Sequence, residues 1–415
     1  MTTSQVMAQK KFVANYDETK IPKYTLPNPL VTESGEPVSN AEMWNEIRRP
    51  ELLKLFQQQV YGHSPDACVI THELVSSKEM ENVTRREVDV YFGDKSATSM
   101  RLLIDTPKDA TGPVPAFLGL NFQGNHSIDS DRSISLNTNR MRNKKETTKV
   151  HRAAEQTRGT ASNRWPLDSI TSRGYGLVTI YYGDIDPDFD DGFENGIHGH
   201  FKAQTESISQ GQKWGSIAAW AYGLSRALDY LETDKLIDAE SVAVIGHSRL
   251  GKTSLWAGAT DPRFKMVISN DSGCGGAALS RRAIGETVGR INTKFPHWFC
   301  DNFLEYNNNE NACPVDQHQL LALIAPRALY VASATKDKWA DPKGEFLSCV
   351  GADPVYRLLG TDGMGGSQTP TEPPPADSPI KSGTIGYHLR TGKHDLTDYD
   401  WQQYLDFADR HLKTK

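Results

Sequence analysis

The chain has 415 residues, of which 37% are hydrophobic and 24% are charged, so it carries enough apolar material for a large core and wholesale disorder is excluded. Its 46 lysine and arginine residues against 52 acidic ones give a formal net charge of −6, which argues against a general nucleic-acid-binding surface. No stretch approaches about 18 consecutive apolar residues, so we expect no membrane span.

Residues 1–40 are polar and rich in proline, and we interpret them as an extended arm that lies on a domain. They lack the apolar region of a secretory signal peptide. Residues 39–42 carry a helix-capping pattern, which predicts a helix to about Tyr61 that Pro50 should break or kink. Residues 69–104 then alternate between polar and apolar side chains, as antiparallel strands do, most clearly at 86–92 and 99–105.

From about residue 114 the pattern changes to apolar strands that alternate with helices. Strands are predicted near 114–122, 176–182, 241–246, 264–270, 328–334 and 384–389, and helices near 166–173, 214–233 and 401–412. The polar segments 127–163 and 359–382 read as inserted loops, and the basic run 140–149 as a solvated face. This order favours one α/β domain over 41–415, with a mostly parallel sheet covered on both faces and an antiparallel N-terminal part.

The strongest local signal for chemistry is Val-Ile-Gly-His-Ser-Arg-Leu-Gly-Lys at 244–252, where Ser248 follows an apolar strand and precedes a helix. This order is typical of a nucleophile elbow, a sharp turn that presents a serine hydroxyl at the carboxyl end of a sheet. That motif has glycine two residues after the serine, whereas here Leu250 holds the position and Gly251 follows. The alternative is a serine that merely caps the helix.

A serine nucleophile needs a base, and His394 lies between the last strand and the closing helix, where a hydrolase histidine would lie. Two carboxylates compete to orient its imidazole, because Asp271 and Asp337 each follow a predicted strand at the same sheet edge as Ser248. Three other histidines fit less well, since they lie in a strand pattern, in a loop or at a helix start: His388, His297 and His318.

The oxyanion of such a reaction needs hydrogen-bond donors beside the serine. We expect them to be the backbone N–H of Arg249 and a group from the loop 121–126, which follows the strand at 114–122. The side chain of Arg249 would add a positive charge next to the oxyanion.

No metal site or cofactor is expected. The acidic segment 183–192 looks like a calcium loop, but Asp191 occupies the position where that motif needs glycine, so we interpret the segment as a loop near the cleft. His198 and His200 lack an evident third ligand.

The five cysteines are too few and too scattered for a disulfide framework, and they lack the CxxC pairs of a zinc site. An odd number leaves at least one thiol unpaired. Two disulfides are hypotheses from the sequence, namely Cys300 with Cys313, which would close a short loop, and Cys274 with Cys349.

Four segments together resemble the bacterial branch of carbohydrate esterase family 15, the glucuronoyl esterases. They are Gly-His-Ser-Arg-Leu-Gly-Lys at 246–252, Asn-Asp-Ser-Gly-Cys-Gly-Gly-Ala-Ala-Leu-Ser-Arg at 270–281, Phe-Pro-His-Trp-Phe at 295–299 and Lys-Asp-Lys-Trp-Ala-Asp-Pro at 336–342. The resemblance extends over roughly residues 40–412. It implies an α/β-hydrolase fold, a three-layer αβα sandwich. It also implies hydrolysis of the ester between 4-O-methyl-glucuronic acid of glucuronoxylan and lignin alcohols.

The resemblance implies roles for six residues. They are the nucleophile Ser248, the base His394, the oxyanion arginine Arg249, the sugar-binding Lys252, the uronate-binding Glu286 and the aromatic platform Trp339. These roles are chemically sensible, because lysine and glutamate hydrogen-bond to sugar hydroxyls and tryptophan stacks on a pyranose face.

Two departures from the family pattern matter. Many members carry glutamate at the position of Asp271, so we expect Asp337 to be the working acid and Asp271 its partner or spare. Fungal relatives carry a disulfide between a cysteine before the serine and one near the histidine. His247 and Asp395 stand at those positions here, so that bond is not expected.

The expected partner is the glucuronoxylan–lignin ester itself, acted on by a monomer that is secreted or periplasmic, since the substrate is a cell-wall polymer. Two alternatives stay open, namely a broader carbohydrate esterase such as an acetyl-xylan esterase, and a catalytically weak carbohydrate-binding relative. The cluster of Lys252, Glu286 and Trp339 discriminates against the first, because it has no purpose for a simple acetate.

Overall fold

The computed structural model describes residues 12–142 and 151–413. Within these ranges the strands form one sheet in the order β1-β2-β3-β5-β4-β6-β7-β8-β9. The strands are β1 (Thr71–Glu79), β2 (Val83–Tyr91), β3 (Ser99–Pro107), β4 (Val114–Asn121), β5 (Gly176–Tyr181), β6 (Ile237–His247), β7 (Met266–Asn270), β8 (Ala328–Ala334) and β9 (Ile385–Arg390).

The sheet is antiparallel at one end and parallel over the rest. β1 pairs with β2, β2 with β3 and β3 with β5 in antiparallel registers. From β5 through β4 and β6 to β9, every neighbouring pair is parallel. This arrangement confirms the predicted α/β class with its antiparallel N-terminal part.

Helices cover both faces of this sheet. The α-helices are α1 (Ala41–Met43), α2 (Arg49–Phe56), α3 (Leu167–Ser172), α4 (Tyr182–Ile185), α5 (Ser216–Leu231), α6 (Arg249–Thr260), α7 (Val288–Lys294), α8 (Gln317–Ala322), α9 (Pro342–Leu358) and α10 (Asp398–His411). The described helices include none that is long and apolar enough to cross a membrane.

Alternation along β6 shows how one strand serves two cores. Val242 and Val244 point into the larger core, which contains residues of α2, α5, α6, α8 and α9. Ala243 and Ile245 point into the smaller core, which contains residues of α3 and α10. The result is three layers, with the sheet in the middle.

Pro50 does not break the N-terminal helix as expected. It is the second residue of α2, and the helical run accommodates its missing N–H by a change of hydrogen-bond spacing just before it. A π-helical turn, Trp44–Arg48, precedes it, and the N–H of Arg49 bonds to the carbonyl of Trp44. The chain therefore stays helical from α1 into α2 by changing its hydrogen-bond spacing.

The two hypothetical disulfides are wrong, because all five cysteines are free thiols. The Cys300 thiol donates instead to the carbonyl of Gln58 at 3.8 Å. Cys274 interacts electrostatically with Glu286 and Lys252. Cys349 is buried near a different carboxyl group, that of Glu345.

The strand order places a crevice at one edge of the sheet. β4 is flanked by β5 on one side and β6 on the other, so the chain leaves these strands in diverging directions. Ligands of open α/β sheets bind outside the carboxyl ends of strands at such a point. The segments that follow β4, β5 and β6 therefore supply the walls of a site.

Candidate active site

Ser248 occupies a strained turn between β6 and α6. Its backbone angles are φ 59° and ψ −127°, a combination that costs a residue with a side chain about 1–3 kcal/mol. The N–H of Ser248 bonds to the carbonyl of Asn270 at 2.9 Å. A side chain at Gly246 would put its Cβ 1.8 Å from the carbonyl oxygen of Leu250, so the close strand–helix junction needs this glycine. The turn has the form of a nucleophile elbow.

A cavity of about 310 Å³ opens beside this turn. Ser248, Arg249 and His394 line it together, as the sequence predicted for groups of one site. Its other walls come from the loops after β4 and β5 and from the inserted loop, and include Phe122, Gln123, Met141, Arg164 and Tyr182.

His394 and Asp337 form a close pair behind the cavity. Nδ1 of His394 lies 2.6 Å from Oδ2 of Asp337. The imidazole is 41% exposed, whereas the Asp337 side chain is 6% exposed. An accessible base is thus anchored to a buried carboxylate, and the bond to Nδ1 leaves Nε2 for proton transfer.

Asp271, the competing acid, lies close but bonds elsewhere. Ligand atoms of Asp271, Asp337 and His394 lie within 4.8 Å of one another. One Asp271 oxygen accepts the N–H of Asp395 at 3.3 Å, and the other has no hydrogen-bond partner among the described residues. Burial, followed by the charge of Glu345, raises the pKa of Asp271 well above its ordinary value.

Arg390 holds the loop that carries His394, and the sequence analysis missed it. Its Nη2 donates to the carbonyls of Lys393 at 2.9 Å and Asp395 at 3.0 Å, on either side of the histidine. Its Nε donates to Asp400 at 3.0 Å. The same carboxylate bonds to His388 at 2.8 Å, so that histidine belongs to a buried support.

Arg249 offers a backbone and a side-chain donor to the cavity. As the first residue of α6, it has an N–H without an intrahelical acceptor. Its guanidinium forms an ion pair with Asp188, and its Nε is buried without a partner among the described residues. A buried donor without an acceptor is costly, so an incoming anion would be favoured there.

Only part of the predicted oxyanion loop 121–126 faces the cavity. Phe122 and Gln123 line it. The Asn121 side chain instead accepts the N–H of Gln123 at 3.3 Å, and His126 pairs with Thr157 at 2.7 Å. These two residues shape the loop from behind.

Lys252, Glu286 and Trp339 form a second cluster beside Arg249. None of the three is among the described residues that line the 310 Å³ cavity. The N–H of Glu286 bonds to the carbonyl of Trp339 at 3.0 Å. Trp339 is 37% exposed and Lys252 4%. Lys252 donates to the carbonyl of Ser272.

Burial dominates the electrostatics of this cluster. It lowers the pKa of Lys252, although the charge of Glu286 acts in the opposite direction. It also raises the pKa of Glu286, although the charge of Lys252 and a hydrogen bond with the Trp339 side chain oppose the rise. The charge of Arg249 acts on both groups, which places the cluster next to the cavity.

Carboxylates of the acidic segment 183–192 are bound by protein donors. Asp184 accepts hydrogen bonds from the side chains of Asn137 and Asn139. Asp186 accepts from Ser216 and pairs with His198, one of the two histidines weighed as metal ligands. The basic run 140–149 lies outside the described residues except for 140–142, of which Arg142 lines the cavity.

Comparisons with known proteins give the family. A family model described as glucuronyl esterase, fungi, matches residues 207–360. A carbohydrate esterase, MZ0003, from an unknown prokaryotic organism is 52% identical over 96% of this chain and 92% of its own length. The solved glucuronoyl esterase from Solibacter usitatus is 45% identical, with a TM-score of 0.88, over 95% of this chain and 100% of its own. A structure titled as a promiscuous CE15 esterase from a marine bacterial metagenome is 51% identical, with a TM-score of 0.89, over 96% of this chain and 100% of its own.

The fold and these similarities define a carboxylic ester hydrolase of the α/β-hydrolase type. The chain belongs to carbohydrate esterase family 15, the glucuronoyl esterases. The family resemblance and the fold that it implied are thereby confirmed.

A buried carboxyl group under the site makes the fold sensitive to pH. Glu345 accepts the N–H of Gly273 at 2.9 Å and bonds to Ser333 at 2.6 Å. Burial raises its pKa from 4.5 to about 8, although the hydrogen bond with Ser333 opposes the rise. The folded protein therefore keeps this proton at a pH where the unfolded chain has lost it.

We expect Glu345→Gln to remove part of the pH dependence of stability. The wild type gains from the neutral carboxyl group below pH 4.5 and loses that gain as pH rises towards about 8. The glutamine variant should have the same free energy of unfolding as the wild type at pH 5. At pH 9 its free energy of unfolding should be higher, by roughly a few kcal/mol. Urea unfolding at both pH values measures this, with the exposed Glu240→Gln as control. Parallel stability curves for wild type and Glu345→Gln would contradict the expectation.

Proposed function

We propose that the protein hydrolyses esters of 4-O-methyl-glucuronic acid, as in glucuronoxylan linked to lignin alcohols, through an acyl-enzyme on Ser248. The observation that carries the proposal is the meeting, in one cavity, of a serine at an elbow and a histidine 2.6 Å from a buried carboxylate. The family of the chain supports the uronate as acyl group, because its relatives include proteins named 4-O-methyl-glucuronoyl methylesterase.

The proposed reaction begins with attack of the Ser248 hydroxyl on the C6 carbonyl carbon of the uronate ester. Nε2 of His394 takes the hydroxyl proton, and Asp337 stabilises the imidazolium that forms. The carbonyl oxygen becomes an oxyanion, which accepts hydrogen bonds from the N–H and the guanidinium of Arg249.

Collapse of the tetrahedral intermediate breaks the ester bond. The alcohol leaves with the proton that His394 had taken, and the uronate remains esterified to Ser248. Water, deprotonated by His394, then attacks the acyl carbon and releases the free acid and the serine. In this scheme every bond that forms or breaks needs only groups of this chain and water.

Asp337 is the proposed working acid and Asp271 the spare. Asp337 lies 2.6 Å from Nδ1 of His394, whereas Asp271 accepts a hydrogen bond from the N–H of Asp395. The raised pKa of Asp271 also favours its neutral form, which stabilises an imidazolium poorly.

Lys252, Glu286 and Trp339 are the proposed sugar-binding groups. The exposed face of Trp339 suits a pyranose ring, and the two charged groups suit its hydroxyls. The protein is proposed to act as a monomer. The polymeric cell-wall substrate supports action outside the cytoplasm, in a secreted or periplasmic form.

The first test is kcat/KM on benzyl glucuronate, measured beside p-nitrophenyl acetate. We expect a strong preference for the glucuronate ester, lost in Ser248→Ala by a factor on the order of 10⁴ or more. Comparable activity on both esters would favour the alternative function, that of a broader carbohydrate esterase. Full activity in Ser248→Ala would contradict the assignment of Ser248 as the nucleophile.

The choice of acid is tested by two isosteric variants. Asp337→Asn should lower kcat by about 10²–10⁴-fold, because an amide facing Nδ1 favours the wrong tautomer and cannot stabilise the imidazolium. Asp271→Asn should cost less than about tenfold, because its oxygen can still accept the N–H of Asp395. Equal losses would mean a shared role, and the reverse order would overturn the assignment.

The sugar platform is tested at Trp339. Trp339→Ala should raise KM for benzyl glucuronate about tenfold while leaving p-nitrophenyl acetate unaffected, because acetate has no ring to stack. Trp339→Phe keeps a ring but loses the indole N–H that bonds to Glu286, so its KM should lie between the two. Equal effects on both esters would argue against a platform.

A further inference from the structure

Asp188 belongs to the acidic segment that the sequence assigned only to a loop near the cleft. The structure puts its carboxylate against Arg249, with Nη1 of the guanidinium bonded to Oδ2. The Asp188 side chain is 4% exposed and the Arg249 side chain 15%. Two opposite charges therefore meet under the floor of the catalytic cavity, largely out of water.

Three further donors fix the Asp188 carboxylate. Oδ2 also accepts the hydroxyl of Tyr182 at 3.0 Å. Oδ1 accepts Nε2 of His297 at 3.1 Å and the indole N–H of Trp298 at 2.8 Å. Burial acts to raise the pKa of Asp188, but the hydrogen bond from His297 and the charge of Arg249 outweigh it, and the pKa is lowered. The group stays a carboxylate, so the ion pair persists.

Trp298 serves both partners of this ion pair. Its N–H bonds to Asp188, and its ring lies 4.7 Å from the guanidinium carbon of Arg249. Phe295 stacks on Trp298 with ring centres 3.7 Å apart and lies 5.4 Å from the same guanidinium. The Phe-Pro-His-Trp-Phe segment, which carries no role in the proposed reaction, thus forms an aromatic wall for Arg249.

We propose that Asp188 is a positioning residue for Arg249, held in turn by Tyr182, His297 and Trp298. An arginine side chain has many rotamers, and a donor aids an oxyanion only if it is in place before the charge develops. Asp188 binds the guanidinium through Nη1, and the aromatic wall lies against it. This inference rests on the proposed function, because it acts through the oxyanion role of Arg249.

Asp186 provides a matched control in the same loop. It is buried like Asp188, and its carboxylate also binds a histidine, His198 at 3.0 Å, and a hydroxyl, that of Ser216 at 2.5 Å. Among the described residues, these partners of the Asp186 carboxylate do not include Arg249. A variant at Asp186 therefore disturbs the loop without removing the acceptor of the guanidinium.

The experiment is a double-mutant cycle of Asp188→Asn with Arg249→Met, with kcat and KM measured on benzyl glucuronate. Asparagine keeps the shape of Asp188 and one acceptor oxygen for His297 and Trp298, but it replaces the acceptor of Arg249 by an NH₂ group. We expect Asp188→Asn to lower kcat at least tenfold in the wild-type background, and by less than about twofold in Arg249→Met. KM should change by less than about threefold in either background.

Two more variants keep the test decisive. If Asp186→Asn lowers kcat, the factor should be the same in the wild-type background and in Arg249→Met, because Asp186 acts on the loop alone. Trp298→Phe keeps the ring beside Arg249 and removes one donor to Asp188, so its kcat loss should be smaller and should also vanish in Arg249→Met. If Asp188→Asn does not fold, Trp298→Phe carries the cycle.

An unchanged kcat in Asp188→Asn, or an equal loss in both backgrounds, would overturn the positioning role. A wild type that hydrolyses none of the esters would instead overturn the proposed function. In that event the exchange rate of the Arg249 Nε–H with solvent, followed by NMR, still tests whether Asp188 positions Arg249. It should rise at least tenfold in Asp188→Asn and stay unchanged in Asp186→Asn, and equal rates in all three proteins would contradict the proposal.

Discussion

The junction between β6 and α6 is the constraint on which the site depends. No side chain fits at Gly246, because its Cβ would lie 1.8 Å from the carbonyl oxygen of Leu250. That closeness forces the positive φ of Ser248 and starts α6 directly at the sheet edge. The cost of about 1–3 kcal/mol is offset locally by backbone hydrogen bonds at 2.9 Å from Ser248 to Asn270 and from Gly251 to Ser248.

The same edge gathers several buried carboxyl groups, and their mutual repulsion shapes the site. The charges of Glu345, Asp337 and Asp400 all act to raise the pKa of Asp271, and the charge of Asp337 acts to raise the pKa of Glu345. The positive charge of Arg390 opposes the rise in the pKa of Asp271. The protein resolves the conflict by leaving Glu345 protonated near neutral pH. Asp400 differs from these groups, because the hydrogen bond with His388 outweighs the effect of burial and lowers its pKa.

Much of the fold could be predicted from periodicity, because strands buried on both faces are continuous apolar runs. α9 was missed because its 17 residues include Gly344, Gly351 and Pro354, which break a helical pattern. It forms nevertheless, since its N-terminus is capped by Asp341 and its length packs on β8 and β9. Tertiary packing, which overrides local propensity, is not visible in a window of sequence.

Ser248, Arg249 and His394 line one cavity and could be picked out from the sequence, whereas the contacts that support them could not. Ser248 and His394 each follow a strand, and their order along the chain can be read directly from the sequence. Arg390 and Asp188 act on residues that lie 3 to 61 positions away, through contacts that only the folded chain creates. An aspartate in an acidic loop looks the same whether it caps a turn or holds an arginine. The cysteines show the opposite kind of error, because the nearness of Cys300 and Cys313 in sequence suggested a disulfide that the fold does not form.

In the proposed function, Arg249 joins the oxyanion site to the sugar-binding cluster, and the chemistry of a uronate ester gives the reason. The reacting carbonyl carbon of such an ester is bonded directly to the pyranose ring, so groups that read the ring must lie next to groups that hold the oxyanion. Arg249 and Lys252 stand one turn apart on α6, and the charge of Arg249 acts on both Lys252 and Glu286. An acetate ester has no ring at that distance and would leave the second cluster unused. In the proposed function, one helix turn therefore joins the group that stabilises the oxyanion to the groups that bind the acyl sugar.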